Sequence, residues 1–198
     1  MNKPQGYEET QTSGDFTPPA LGGHNMVIKQ VNETKSKSGK DMIVVLFDFD
    51  QSDKQAGYFK KSFDDDIRPD KKWPSGGTSY ILTDDAEGKC SRSFKTFITC
   101  IEHSNAGFTT QWGDNFASQF KGKKIGGNFG AEHYVNNKGE EKVSNKLRWF
   151  VSLDKVADVK IPDEKMLSDE DKAKVGGAVK DDNFVNVPAD IDSELPFN

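Results

Sequence analysis

Four apolar residues, Phe94, Phe97, Ile98 and Ile101, fall at i, i+3, i+4 and i+7, and the segments on either side do not keep that period. The stripe is one face of an amphipathic helix. Ser91 or Ser93 is placed to cap it, and Asn105-Ala106-Gly107 ends it. The flanking segments alternate in polarity or carry short apolar runs between turn residues, which is how strands read. A single helix set among strands leaves few architectures open, so the strands on each side decide the fold.

Before the stripe, residues 24–33 read as a first strand. Residues 42–50 read as a second, apolar on both faces until Asp48 and Asp50, the pattern of a central strand. Tyr58, Phe59 and Phe63 predict a third strand over 57–63. The loop 64–77 holds Arg68-Pro69, Trp73-Pro74 and Gly76-Gly77, and 78–82 has the length of an accessory strand. After the stripe, 123–135 reads as a strand whose Gly126, Gly127 and Gly130 predict a bulge or bend. Asn136-Asn137-Lys138-Gly139 is a hairpin turn. Residues 143–153 then alternate, with Val143, Leu147, Trp149, Val151 and Leu153 on the core side and Lys146, Arg148, Phe150 and Ser152 opposite. Strand, strand, strand, helix, strand, strand is the order of the OB fold. The sequence therefore predicts a mainly β, five-stranded OB-like barrel with one helix between strands 3 and 4.

Composition agrees with a small, ring-filled core. Only 33% of the 198 residues are hydrophobic, yet they include 14 Phe, 4 Tyr and 3 Trp. No run approaches the roughly 18–20 apolar residues of a membrane span, and no charged-then-apolar leader opens the chain. Cys90 and Cys100 lack metal or disulfide spacing and read as free thiols, so a cytoplasmic location is expected. The net charge of -5 is unevenly spread. Residues 156–198 carry five Lys against 11 Asp and Glu, whereas 23–155 carry 21 Lys and Arg against 18 Asp and Glu. The expected division is a flexible arm over 1–22, a mildly basic OB-like domain over 23–155, and an acidic, largely disordered tail over 156–198.

OB barrels bind oligonucleotides on the face of strands 2 and 3, flanked by the loops joining strands 1–2 and 4–5. The first loop carries Lys35, Lys37 and Lys40, suited to phosphate contact. The expected third strand pairs Tyr58 with Lys60 on one face and places Lys61 between Phe59 and Phe63 on the other. Tyr58 is the ring suited to base stacking, while Phe59 and Phe63 read as core. Lys146, Arg148 and Phe150 repeat the basic-aromatic mix on the last strand. Trp73 sits in a loop, where a ring of that size requires either a docking site or a ligand. Enzyme constellations are poor. Asp64-Asp65-Asp66, Asp84-Asp85 and Glu87 read as turn residues, with a magnesium-dependent nuclease as the competing reading. His24, His103 and His133 lack ligand spacing, and Gly126 to Gly130 lack the Lys-Ser/Thr of a nucleotide loop. No cofactor or metal is expected, and the chain does not read as an enzyme.

The end of the chain is the most specific feature. Its last 18 residues hold five acids and no base, finishing Asp190-Ile191-Asp192-Ser193-Glu194-Leu195-Pro196-Phe197-Asn198. Asp192, Glu194, Leu195, Pro196 and Phe197 make a linear motif, the ring suited to an apolar pocket and the acids to a basic rim. This tip resembles the acidic C-terminal tail of bacterial single-stranded DNA-binding proteins, which ends in Asp-Asp-Asp-Ile-Pro-Phe and recruits replication and repair enzymes. Asn198 departs from that pattern, where Phe is last and its carboxylate helps bind partners.

The body resembles a different family. Lys35 to Met42, Gly57-Tyr58-Phe59, Phe94 to Asn105, Lys121 to Gly127, Asn136 to Glu140 and Lys146-Leu147-Arg148-Trp149-Phe150 are similar, in that order, to proteins of phages of Gram-positive bacteria. That family was long catalogued as a domain of unknown function and occurs among phage replication and recombination proteins. The resemblance implies single-stranded DNA binding in the host cytoplasm, with replication or recombination proteins taken by the tail. A homo-oligomer is compatible with such a fold. The competing reading outside enzymes is a replisome adaptor without DNA affinity.

Overall fold

The computed structural model describes residues 3, 4, 7 and 17–176. Its elements are β1 (Gly22–Lys35), β2 (Asp41–Phe49), α1 (Tyr58–Asp64), β3 (Thr78–Leu82), α2 (Arg92–Ser104), β4 (Lys124–Val135), β5 (Glu141–Val151) and α3 (Asp169–Lys172), with three short 3-10 turns. The five strands form one antiparallel sheet in the order β3-β2-β1-β4-β5. The expected stripe is in place. Ser91 Oγ accepts from the Phe94 N–H at 3.1 Å, and Phe94, Phe97, Ile98 and Ile101 are buried. Ten of the 14 Phe lie in the core, so the aromatic excess serves packing first. Phe47 meets both Phe129 and Phe150 edge to face, as Phe97 meets Phe150.

Two expectations need correction. The third strand is not 57–63 but Thr78–Leu82, and 58–63 belongs to α1, with Gly57 at its N-cap. Gly57 offers no capping side chain, so the helix is started from across the fold. The buried Asp48 carboxylate accepts from the N–H groups of Phe59 at 2.9 Å and Lys60 at 3.3 Å. Phe59 and Phe63, four apart, share the buried face, and Lys60–Asp64 and Lys61–Asp65 pair along the exposed one.

The barrel is also not closed, because no ladder joins β3 to β5 among the described residues. Strand β3 is only five residues long and pairs with Met42–Leu46, so Phe47 and Phe49 have no strand beside them on that edge. The connector 50–77 satisfies their carbonyls instead. Trp73 Nε1 donates to Phe47 O at 3.3 Å, and Gly57 N donates to Phe49 O at 3.1 Å.

The strand β5 carries a bulge that reverses its faces. Asn128 pairs with Trp149 and Phe129 pairs with Leu147, which leaves Arg148 as an extra residue. Trp149 therefore points outward and is 45% exposed, while Phe150 is buried; both sides are the opposite of the alternation read from the sequence.

Beyond β5 the chain stays on the protein. Residues 156–167, expected as the opening of the tail, cross the outside of β1 and β4. Asn128 Nδ2 donates to Lys160 O at 2.9 Å, Lys165 bridges to β4 through Ala131 O and His133 N, and Leu167 is buried. Glycines permit this close crossing: a Cβ on Gly23 would lie 2.1 Å from Val156 O, and one on Gly130 would press on Pro162. Gly23→Ala is expected to destabilise the fold by about 1–3 kcal/mol, read as a lower urea midpoint at unchanged slope. Residues 18–20 are tied down too, by Asn145 to Pro19 O at 2.6 Å and Gln55 to Pro18 O at 3.1 Å. Residues 1, 2, 5, 6, 8–16 and 177–198 lie outside the described residues, Asp192, Glu194, Leu195, Pro196 and Phe197 among them.

Candidate nucleic-acid interface

Residues paired across an antiparallel ladder share a face. On the outer face of β4 and β5, Gly130 stands opposite Lys146, Glu132 opposite Ser144, and Tyr134 opposite Lys142. The bulge turns Trp149 onto this same face, opposite Asn128, and lays the Arg148 stem beside Gly130, where a Cβ would meet its Cγ at 3.0 Å. Arg148 Nη1 donates to Ala131 O at 3.4 Å. Lys146 Nζ sits 5.7 Å from the centre of the Tyr134 ring. Tyr134 is 39% exposed, so two partly open rings stand among cationic side chains.

One carboxylate lies within the group. Glu132 accepts from Lys165 Nζ at 2.5 Å and lies 3.8 Å from Lys146 Nζ. Burial pushes its carboxyl up, but the bond from Lys165 and the charges of Lys146, Lys165 and Arg148 outweigh burial and hold it below the usual glutamate value. It is therefore ionised at neutral pH, and the face holds Lys142, Lys146, Arg148 and Lys165 against Glu132. Lys142 also pairs with Glu140 at 3.1 Å in the adjoining turn. On the opposite face His133 is held between Glu141 at 2.5 Å and Glu164 at 3.4 Å, and these carboxylates raise its basicity.

Of the residues singled out from the sequence, Lys146 and Arg148 meet here. Lys35, Lys37 and Lys40 are exposed on the turn between β1 and β2, with Lys35 paired to Asp41 at 2.7 Å. Gly22, at the start of β1, pairs with Phe129, whereas Lys35 ends it, so this turn and the β4–β5 turn lie at opposite ends of β1. Tyr58 is half-buried against Phe49 and Phe59, with ring centres at 5.9 and 5.0 Å, and burial pushes its hydroxyl up to about 12. Lys60 and Lys61 flank it on α1, facing their aspartates. Trp73 has a docking site: it is buried, tilted against Phe63 and bonded to Phe47 O and Gly77 O. Phe150 faces the core and offers no surface for stacking.

Trp149, Tyr134, Lys142 and Lys165 were missed. Tyr134 had a readable signal, because a ring one residue from a hairpin turn overhangs the core. Trp149 had none, since parity is lost at a bulge that leaves no mark in the residues around it. The aspartates weighed for a nuclease are engaged otherwise: Asp64 and Asp65 pair with lysines, and Arg68 holds the Asp66 carboxyl down to about 2. Among the described residues no helix is long and apolar enough to cross a membrane. A scan of protein-family models and a search of curated proteins both return no match to this chain.

Proposed function

We propose that the chain binds single-stranded DNA without strong base preference, along the outer face of β5 and the Tyr134 end of β4, which the strap leaves open. The observation that carries this is the meeting of Trp149 and Tyr134 with Lys142, Lys146, Arg148 and Lys165 on one face. Rings with an open side stack any base, and the cations neutralise the phosphates between stacked bases. Two further points support the reading. The order β3-β2-β1-β4-β5, with α2 following β3, is that of an OB barrel opened between β3 and β5. The body also resembles the phage replication and recombination family, which suggests work in the host cytoplasm with partners drawn by the acidic tip.

Titration with an oligo-dT strand, following tryptophan quenching and DNA anisotropy together, tests it. Four cations at the face predict that log affinity falls against log salt with a slope of about -3, and that duplex binds far more weakly. Absence of binding at low salt overturns the reading. A replisome adaptor, which the small net charge of the body favours, then takes its place.

A further inference from the structure

The cationic face carries an anion of its own. Each oxygen of Glu132 meets a different lysine: Oε1 accepts from Lys165 Nζ at 2.5 Å, and Oε2 lies 3.8 Å from Lys146 Nζ. The carboxylate side chain is 21% exposed, while those of Lys146 and Lys165 are 44% and 58% exposed. An incoming phosphate therefore reaches the lysines more readily than the group they share.

The two lysines are not held alike. Lys165 makes a full hydrogen bond, and its backbone is fixed to β4 through Ala131 O and His133 N, both at 2.9 Å. Lys146 meets Glu132 at a distance too long for a hydrogen bond, so that contact is one of charge alone. Its ammonium also lies 5.7 Å from the Tyr134 ring, among the groups that face the strand. Lys146 is thus the cation that a phosphate takes from Glu132 with the least loss.

We propose that Glu132 is the resident anion of Lys146, and that a DNA phosphate binds there by displacing it. The inference rests on the function proposed above and adds a regulation to the same site. The exchange trades one ion pair for another, so Lys146 strengthens binding less than a free lysine would, and the strand leaves sooner.

The exchange also ties binding to a proton. In the free chain burial raises the Glu132 carboxyl, yet the bond from Lys165 and the charges of Lys146, Lys165 and Arg148 together hold it below 4.5. With Lys146 turned to a phosphate, Glu132 has one cation fewer and a second anion nearby, and both changes favour its protonated form. Between the free and the bound values binding takes up a proton, so affinity rises as pH falls.

Oligo-dT titrations of wild type and Glu132→Gln test this, because the amide keeps an oxygen for Lys165 and loses the charge. At neutral pH the variant should bind about tenfold more tightly, chiefly through slower dissociation. The gap should close as pH falls into the carboxylate range; the acids of the tail are common to both proteins and cancel. In a chain already carrying Lys146→Gln, most of the gain from Glu132→Gln should vanish, since no lysine is left to release. A gain that persists in full there is repulsion at a distance and overturns the proposal. Equal or weaker binding by Glu132→Gln overturns it too, and leaves DNA binding in place. Absence of binding by wild type and variant alike overturns the function itself, and this inference with it.

Discussion

Phe150→Ala is expected to cost the fold about 3–5 kcal/mol, while Trp149→Ala, one residue away, changes stability by no more than about 0.5 kcal/mol. Phe150 is buried, edge to face against Phe97 at 5.2 Å and Phe47 at 6.4 Å, and its loss opens a cavity the size of a ring. Trp149 stands outside, so truncating it removes no core contact. Binding should show the reverse order. Trp149→Ala removes a stacking surface and weakens oligo-dT by about 1–3 kcal/mol, roughly 5- to 150-fold. Thermal unfolding and the anisotropy titration, run on the same two variants, separate the effects. A Trp149→Ala protein that melts far below the wild type would show that the bulge at Arg148 is not where the register places it.

The second large effect concerns Asp48, which is 1% exposed. Asp48→Ala strips the α1 N-terminus of its acceptor and leaves the Phe59 and Lys60 N–H groups without a carboxylate, an expected loss of about 2–4 kcal/mol. Asp48→Asn, which keeps one carbonyl oxygen at that position, should cost less than about 1 kcal/mol.

The gap between these variants has a cause in charge. Burial pushes the Asp48 carboxyl above 3.8, and the bond from Phe59, the Lys29 charge and the bonds from Phe49 and Lys60 pull it only part of the way back. Between 3.8 and that raised value the folded chain holds a proton the unfolded chain has released. The contribution of Asp48 to stability is therefore greatest below this window and falls as pH rises through it. Urea midpoints of wild type and Asp48→Asn, compared from below pH 3.8 up to neutral pH, should converge or cross as pH rises. A difference independent of pH would mean that the buried carboxylate is not strained by its charge.

How far the sequence could be read depended on how local the deciding physics was. The α2 stripe, its Ser91 cap and the Asn136–Gly139 turn are set by neighbours in the chain, and all three are where the residues put them. Residues 57–63 misled because tyrosine and phenylalanine suit strands, while the group that starts the helix, Asp48, sits on another element. Barrel closure failed for a similar reason: whether β3 reaches β5 depends on what Trp73 and the connector do with the edge of β2, a tertiary matter. At the candidate face the charges Lys146 and Arg148 were legible because a basic residue remains outside under either parity. The ring beside them was not, because one extra residue exchanged Trp149 with Phe150.

The strap over β1 and β4 fixes more than the sheet beneath it. It carries the chain to the tip of the β4–β5 hairpin, where Gly176 N donates to Gly139 O at 2.9 Å. The 22 residues beyond this anchor, with five acids and no base after Lys180, can extend no more than about 75 Å from it. The acids of this segment are therefore tethered to the β4–β5 turn, and their concentration about that anchor is set by the tether and not by the amount of protein in solution. Any competition of that acidic segment with DNA for Lys146 and Arg148, under the function proposed above, would depend on the concentration of DNA and not on that of the protein.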